Sequence, residues 1–239
     1  VISLSVSLTQ SARRAFNPAK LSGLNAWYDA TRLSSITKDG SNFVSQFSDL
    51  SGNGNHLAQS YTGLRPLYSA TGLNNKPSIK FDGVDDILKS ISNSTITTPP
   101  YSLFVVFSPA TSGTAEQIIV SWGGNQYTAL DIAVTQNIRF GNFAVGFVGA
   151  GNNSLVTNSV YYTSATKSSS SLISLWVNGI LKGTGTKVAT VTADKLTMGN
   201  SDSSFPFNGY ISEIILYNRE LSTAERQKVE LYLKKKYSL

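Results

Sequence analysis

The segment that most constrains this chain is its end, Gly209 to Leu239, where a strand, a turn and a helix follow one another directly. From Tyr210 to Tyr217 the residues alternate. Ile211, Glu213, Ile215 and Tyr217 fall on one face, and Tyr210, Ser212, Ile214 and Leu216 on the other. Both faces are largely apolar, so the strand is expected to be covered on both sides. Asn218-Arg219-Glu220 turns the chain. Ser222 and Glu225 then stand at capping-box spacing: the hydroxyl accepts from the Glu225 N–H, and the carboxylate returns to the N–H of Ser222. Ala224, Val229, Tyr232 and Leu233 give the following helix a partial apolar stripe. Lys234, Lys235 and Lys236 sit at its end, where cations suit the helix dipole. That placement favours a solvated helix end over a nucleic-acid contact.

Upstream, strand signals recur at short intervals. They cover Leu24 to Ala30, Phe43 to Phe47, Pro77 to Phe81, Tyr101 to Phe107, Gln117 to Trp122 and Tyr127 to Val134. They continue through Ile138 to Phe140, Ala144 to Val148, Val160 to Lys167, Leu172 to Val177, Ile180 to Lys182 and Leu196 to Met198. Asn178-Gly179 is the strongest hairpin turn, between Leu172–Val177 and Ile180–Lys182. No domain-sized linker and no repeat period is evident. The pattern predicts an all-β sandwich or jelly roll with a short C-terminal helix. Residues 1–20 are expected to form an extended arm.

The 239 residues include 41% hydrophobic and only 14% charged residues, enough apolar material for one substantial core. Cysteine is absent, which removes disulfides, thiol chemistry and Cys-based metal sites. The net charge of +6 is carried by scattered residues, unlike the concentrated basic patch of a nucleic-acid binder. No apolar run approaches membrane-spanning length, so no membrane insertion is expected. The start, Val1 to Leu8, lacks a charged n-region and does not read as a signal peptide. Beginning without Met, it reads as processed or trimmed. Val1, Ile2, Leu4, Val6 and Leu8, with Arg13 and Arg14, suit an arm that adds to a neighbour's sheet.

Four pieces in order resemble the concanavalin A-like, laminin G-type jelly roll: Ala26-Trp-Tyr-Asp-Ala, Asp49-Leu-Ser-Gly-Asn-Gly-Asn-His-Leu, Lys80-Phe-Asp-Gly-Val-Asp-Asp-Ile-Leu, and Gly209 to Ser222 with its helix. The resemblance covers residues 21–239 and implies a two-sheet antiparallel jelly-roll sandwich, in a module that is chiefly binding or structural. The stretch from Leu8 to Pro18 is also similar to the leader of such domains in tailed-bacteriophage virion proteins. That likeness implies a capsid decoration, head fibre or tail-associated protein exposed on the particle. The arm would bind other virion subunits, and host-surface glycan would be a second partner. A homo-oligomer is expected, a trimer among the symmetric options. The alternative is a free or cell-surface, extracellular carbohydrate-binding module, calcium-dependent or not.

No enzymatic activity is expected. Glycosidases of this fold carry their carboxylates as E-x-D-x-E on one strand. Glu116, Glu213, Glu220, Glu225 and Glu230 show no such spacing, and Glu213 reads as a paired structural carboxylate. The single His56 reads as a turn residue with local hydrogen bonds. Asp82 and Asp85, in the run Phe81-Asp-Gly-Val-Asp-Asp86, are candidate calcium ligands because calcium accepts irregular oxygen sets. An Asp-Gly turn also forms without an ion. Trp122, Asn125, Gln126 and Tyr127 combine aromatic and amide groups and are candidate carbohydrate contacts. The other reading of Trp122 is a core cap. Trp27 and Trp176 read as core.

Overall fold

The computed structural model of the chain describes residues 16–91, 99–111, 115–123, 128–188, 195–201 and 204–239. In chain order the strands are β1 (Leu24–Asp29), β2 (Ile36–Lys38), β3 (Val44–Phe47), β4 (Leu57–Ala58), β5 (Leu67–Leu73), β6 (Lys76–Asp82), β7 (Leu88–Ser90), β8 (Tyr101–Pro109) and β9 (Gln117–Trp122). They continue as β10 (Thr128–Ile132), β11 (Ile138–Asn142), β12 (Gly146–Gly149), β13 (Tyr161–Lys167), β14 (Leu172–Val177), β15 (Ile180–Thr186), β16 (Thr197–Met198) and β17 (Asn208–Tyr217), and helix α1 (Thr223–Tyr237) follows.

Among the described residues these strands form two antiparallel sheets. One runs β15-β14-β13-β8-β17-β6-β5, with β1 also paired to β17. The other runs β12-β11-β10-β9-β16-β7-β4-β3-β2. This is the expected jelly-roll sandwich. β8 shows why the first sheet needs cover on both faces. Tyr101, Leu103, Val105 and Phe107 point between the sheets, and Phe104 and Val106 point to a second apolar layer. In that layer α1 contributes Val229, Leu233 and Tyr237, each fully buried. An aliphatic side chain buried in this way stabilises by about 1.5–3 kcal/mol.

β17 does not alternate as the sequence suggests. A bulge between Ile211 and Glu213 in its pairing with β8 reverses the faces. Ile211 therefore joins Ile214 and Leu216 in the sandwich core, and Ile215 and Tyr217 face the helix. The expectation that Ile211 shares a face with Glu213 is corrected accordingly. β2 and β5 are strands that the sequence pattern did not announce. Trp176 is also corrected: it lies half-buried outside the core, with the Arg226 guanidinium 4.1 Å above its ring. The Asn178-Gly179 hairpin forms as expected, with both residues at positive φ (51° and 78°) between β14 and β15.

The arm residues Val1, Ile2, Leu4, Val6, Leu8, Arg13 and Arg14 lie outside the described residues. Phe16 is the first described residue. Its ring packs 5.8 Å from that of Tyr232, and the Tyr217 hydroxyl donates to the Pro18 carbonyl at 3.1 Å.

The helix is fastened by one buried carboxylate. Glu213 Oε1 accepts from Trp27 Nε1 at 2.8 Å and from the Tyr232 hydroxyl at 2.9 Å. Its Oε2 accepts from Lys236 Nζ at 2.7 Å and from the Tyr237 hydroxyl at 3.0 Å. Lys236 also pairs with Asp29 at 2.7 Å. Burial pushes the Glu213 carboxyl above its usual pKa, and the Lys236 ammonium pulls it back. Removing one partner of a buried, hydrogen-bonded pair leaves the other uncompensated. Glu213→Ala is therefore expected to cost about 3–5 kcal/mol, read as a lower urea midpoint with unchanged m. A loss below about 1 kcal/mol would mean that apolar contacts alone hold the helix.

Candidate functional site

The site begins where β6 ends. Asp82 closes the strand opposite Asn208 of β17, and Gly83 turns the chain at φ +78°, where an added Cβ would lie 2.6 Å from Asn208 Cβ. Glycine is required at this position on both counts. Asp82 Oδ1 accepts from the Val84 amide at 2.8 Å, and the Asp82 amide donates to Asp86 Oδ2 at 2.9 Å. These bonds curl the turn so that one carboxylate oxygen from each of Asp82, Asp85 and Asp86 lies within 4.8 Å of the others.

Asp86 is only 8% exposed, while Asp82 and Asp85 are open to solvent. Burial, followed by the charges of Asp82 and Asp85, pushes the Asp86 carboxyl up to about 6. Three carboxylates this close repel one another, and an all-oxygen set of irregular geometry suits calcium better than zinc or magnesium. The two ligands expected from sequence are therefore brought together, and Asp86 joins them. Its proximity to Asp85 was visible in the sequence, but its burial was not.

Beside this corner lies a cleft of about 300 Å³ lined by Phe43, Arg65, Leu67 and Lys80 together with Asp82 and Asp86. Phe43 is 41% exposed. Its backbone is held by a bridge to Leu67 and by its amide, which donates to Asp39 Oδ1 at 3.0 Å. Arg65 is oriented by donating to the Gln59 and Ser60 carbonyls, both at 2.9 Å. The cleft thus offers an aromatic face, cationic donors and carboxylate acceptors on a rigid frame, a combination that suits a polyhydroxylated ligand. The sequence reading missed Phe43, Arg65 and Lys80. The only local signal was the Asp39 to Phe43 turn.

Of the other candidate group, only Trp122 lies among the described residues. Trp122 is 1% exposed and meets Tyr101 edge-on at 5.3 Å in the core, so its ring is not a surface platform for a sugar. Asn125, Gln126 and Tyr127 lie outside the described residues. Trp122 is also remote from the acidic corner. The corner adjoins Asn208, whose amide donates to Gln117 at the opposite end of β9. The Asp49 turn spends its carboxylate internally, on the amides of Trp27, Ser51 and Asn55. His56 Nδ1 accepts from the Asp49 amide at 3.0 Å.

Comparison with known proteins places this geometry in context. The chain superposes on domain 4 of an extracellular arabinanase from Geobacillus stearothermophilus, solved in complex with arabinotriose, with a TM-score of 0.63 and 16% identity; the match covers 87% of this chain and 98% of that one. It also superposes on the Trypanosoma rangeli sialidase, with a TM-score of 0.63 and 15% identity over 90% of this chain and 33% of that one. The chain thus spans about a third of the sialidase's length. The binding domain of botulinum neurotoxin serotype D matches with a TM-score of 0.59 and 14% identity, over 87% of this chain and 50% of that one. At such identities the likeness shows the fold. No curated protein sequence matches. A family model described as the concanavalin A-like lectin/glucanases superfamily matches residues 82–225, more than half of the chain, and with the two-sheet jelly roll it shows that the chain belongs to that superfamily.

Proposed function

We propose that this domain is a non-enzymatic carbohydrate-binding module whose ligand occupies the Phe43–Arg65 cleft beside a calcium site formed by Asp82, Asp85 and Asp86. The observation that carries the proposal is the convergence of three carboxylates at the mouth of a cleft that also presents an exposed aromatic ring. Calcium, when bound, would supply open coordination positions for vicinal hydroxyls. The chain's own residues do the rest. Phe43 receives the C–H face of a ring, and Arg65 and Lys80 donate to its oxygens. The arabinotriose named with the arabinanase domain supports a saccharide ligand for this fold.

Support for a non-enzymatic role comes from the glutamates. Glu116 pairs with Arg139, Glu213 with Lys236, Glu225 with Arg219 and Glu230 with Arg226, while Glu220 sits in the turn before α1. None of them lines the cleft.

The setting we propose is the surface of a tailed-bacteriophage particle. There the module would be a head decoration, head fibre or tail-associated protein that attaches to neighbouring subunits through its N-terminal stretch. This rests on the resemblance of Leu8 to Pro18. Deleting residues 1–20 distinguishes this setting from a free module: particle attachment should be lost while glycan binding is kept.

Two further outcomes are expected. A raised Asp86 pKa means that the folded chain binds a proton more tightly than the unfolded chain. The contribution of Asp86 to stability therefore falls as pH rises from 3.8 to about 6. In chelator, Asp86→Asn should remove this fall, seen as a wild-type Tm that drops relative to the variant across that window. Calcium should reverse the drop at pH 7, and its affinity should weaken below about pH 6, where Asp86 takes up a proton. Parallel Tm curves would refute the assignment. On a glycan array and on host cells, binding should be saturable and sensitive to chelator. Phe43→Ala should weaken it about tenfold, the loss of one aromatic contact of about 1–1.5 kcal/mol. Absence of binding to both glycans and cells, or turnover of a polysaccharide, would contradict the proposal.

A further inference from the structure

A second cleft, of about 430 Å³, lies next to the Phe43–Arg65 cleft, and Ala58, Gln59, Tyr61, Leu64 and Ile87 are among the residues that line it. The two clefts share a wall. Thr62, Gly63 and Arg65 line the first, while Tyr61 and Leu64, interleaved with them in sequence, line the second. Asp86 and its neighbour Ile87 divide in the same way. Consecutive Cα atoms stand about 3.8 Å apart, so the wall is a single strip of backbone on each side. The Ile87 amide donates to the Leu64 carbonyl at 3.1 Å and ties its two halves together.

The crest of this wall is the short 3-10 turn Thr62–Leu64, where Thr62 and Gly63 are exposed. A Cβ placed on Gly63 would meet no atom within 4 Å. The space beside Gly63 is therefore open, and the residue has no side chain of its own to fill it.

The same turn presents Tyr61 on a fixed support. Tyr61 is 73% exposed, yet its amide donates to Gln59 Oε1 at 3.1 Å and its carbonyl accepts from the Leu64 amide at 3.2 Å. Gln59 is buried, and its Nε2 donates to the Ile87 carbonyl at 3.2 Å. Arg65, which lines the first cleft, braces the second by donating to the Gln59 and Ser60 carbonyls. A lone exposed tyrosine calls for no explanation. A tyrosine on a pinned turn, beside a cleft of small-molecule size, offers its ring to a ligand at low entropic cost.

We propose, resting on the carbohydrate reading of the first cleft, that the two clefts form one continuous site for an extended oligosaccharide, whose chain crosses over Gly63 and stacks a further sugar unit on Tyr61. A single terminal sugar fills only the first cleft. A longer chain adds the Tyr61 contact without a second loss of overall freedom.

The test uses the full chain and a glycan array that carries length series, from mono- to hexasaccharide, of arabinan, xylan, galactan and β-glucan, probed in calcium. Wild type should bind the long members of a series about tenfold or more tighter than its shortest bound member. Tyr61→Ala should erase most of that gain, as should Gly63→Leu, whose side chain would stand in the crossing. Phe43→Ala should weaken every length. Tyr61 and Gly63 are both exposed, and Gly63 does not stand at positive φ, so both variants should keep the wild-type Tm, measured alongside. Affinity that does not rise with length, or a rise that survives both Tyr61→Ala and Gly63→Leu, would overturn the continuous site. The first cleft would still stand if Phe43→Ala weakens binding. Absence of wild-type binding anywhere on the array would remove the carbohydrate reading and the extended site together.

Discussion

The bonds from Glu213 to Trp27, Tyr232, Lys236 and Tyr237 hold together parts of the chain that are far apart in sequence. They are possible only because the β17 bulge turns Glu213 toward the helix while Ile211 and Ile214 stay in the sandwich. β17 is also the strand on which β1, β6 and β8 register. Its Asn208–Asp82 pairing sets where β6 ends, and so where the acidic turn projects. An apolar layer alone would hold the helix to the sheet without fixing its angle. A saturated buried carboxylate fixes both angle and register, at the cost of desolvating a charge.

Some of this was legible in the sequence because the signals are local. The capping box forms as its spacing requires: Ser222 Oγ accepts from the Glu225 amide at 3.3 Å and the Ser222 amide donates to Glu225 at 2.9 Å. Arg219 adds two bonds to the same carboxylate, at 2.9 and 2.7 Å, which together with the Ser222 contacts hold its pKa down near 2. Spacing alone did not reveal this. The apolar faces of Tyr210 to Tyr217 predicted a strand covered on both sides, and β17 is one. Ile211 was assigned to the wrong face because a bulge leaves no trace in strict alternation. β5 went unread because Leu67–Leu73 is interrupted by Ser, Ala, Thr and Gly and stands at a sheet edge.

The candidate site divides along the same line. Asp82 and Asp85 are close in sequence and meet through a turn that glycine makes necessary. Phe43, Arg65 and Lys80 reach the same cleft from separate segments, so only tertiary structure could unite them. Trp122 shows the converse. It is aromatic, stands near amides in sequence and closes a strand, yet its ring packs against Tyr101 and Phe140 inside the core. On this fold, function resides in the turns and clefts at the margins of a common sandwich, so fold membership constrains the site without naming its ligand.

A calcium titration of the isotope-labelled protein, followed residue by residue through its amide resonances, would decide whether the Asp82–Asp86 turn is the binding centre. The expected result is saturable shifts concentrated at the amides of Val84, Asp85 and Asp86, with Phe43 and Arg65 responding when a bound oligosaccharide is added. Shifts confined to other parts of the chain, or none at millimolar calcium, the weak end of protein calcium sites at roughly 10⁻³ M, would contradict the assignment.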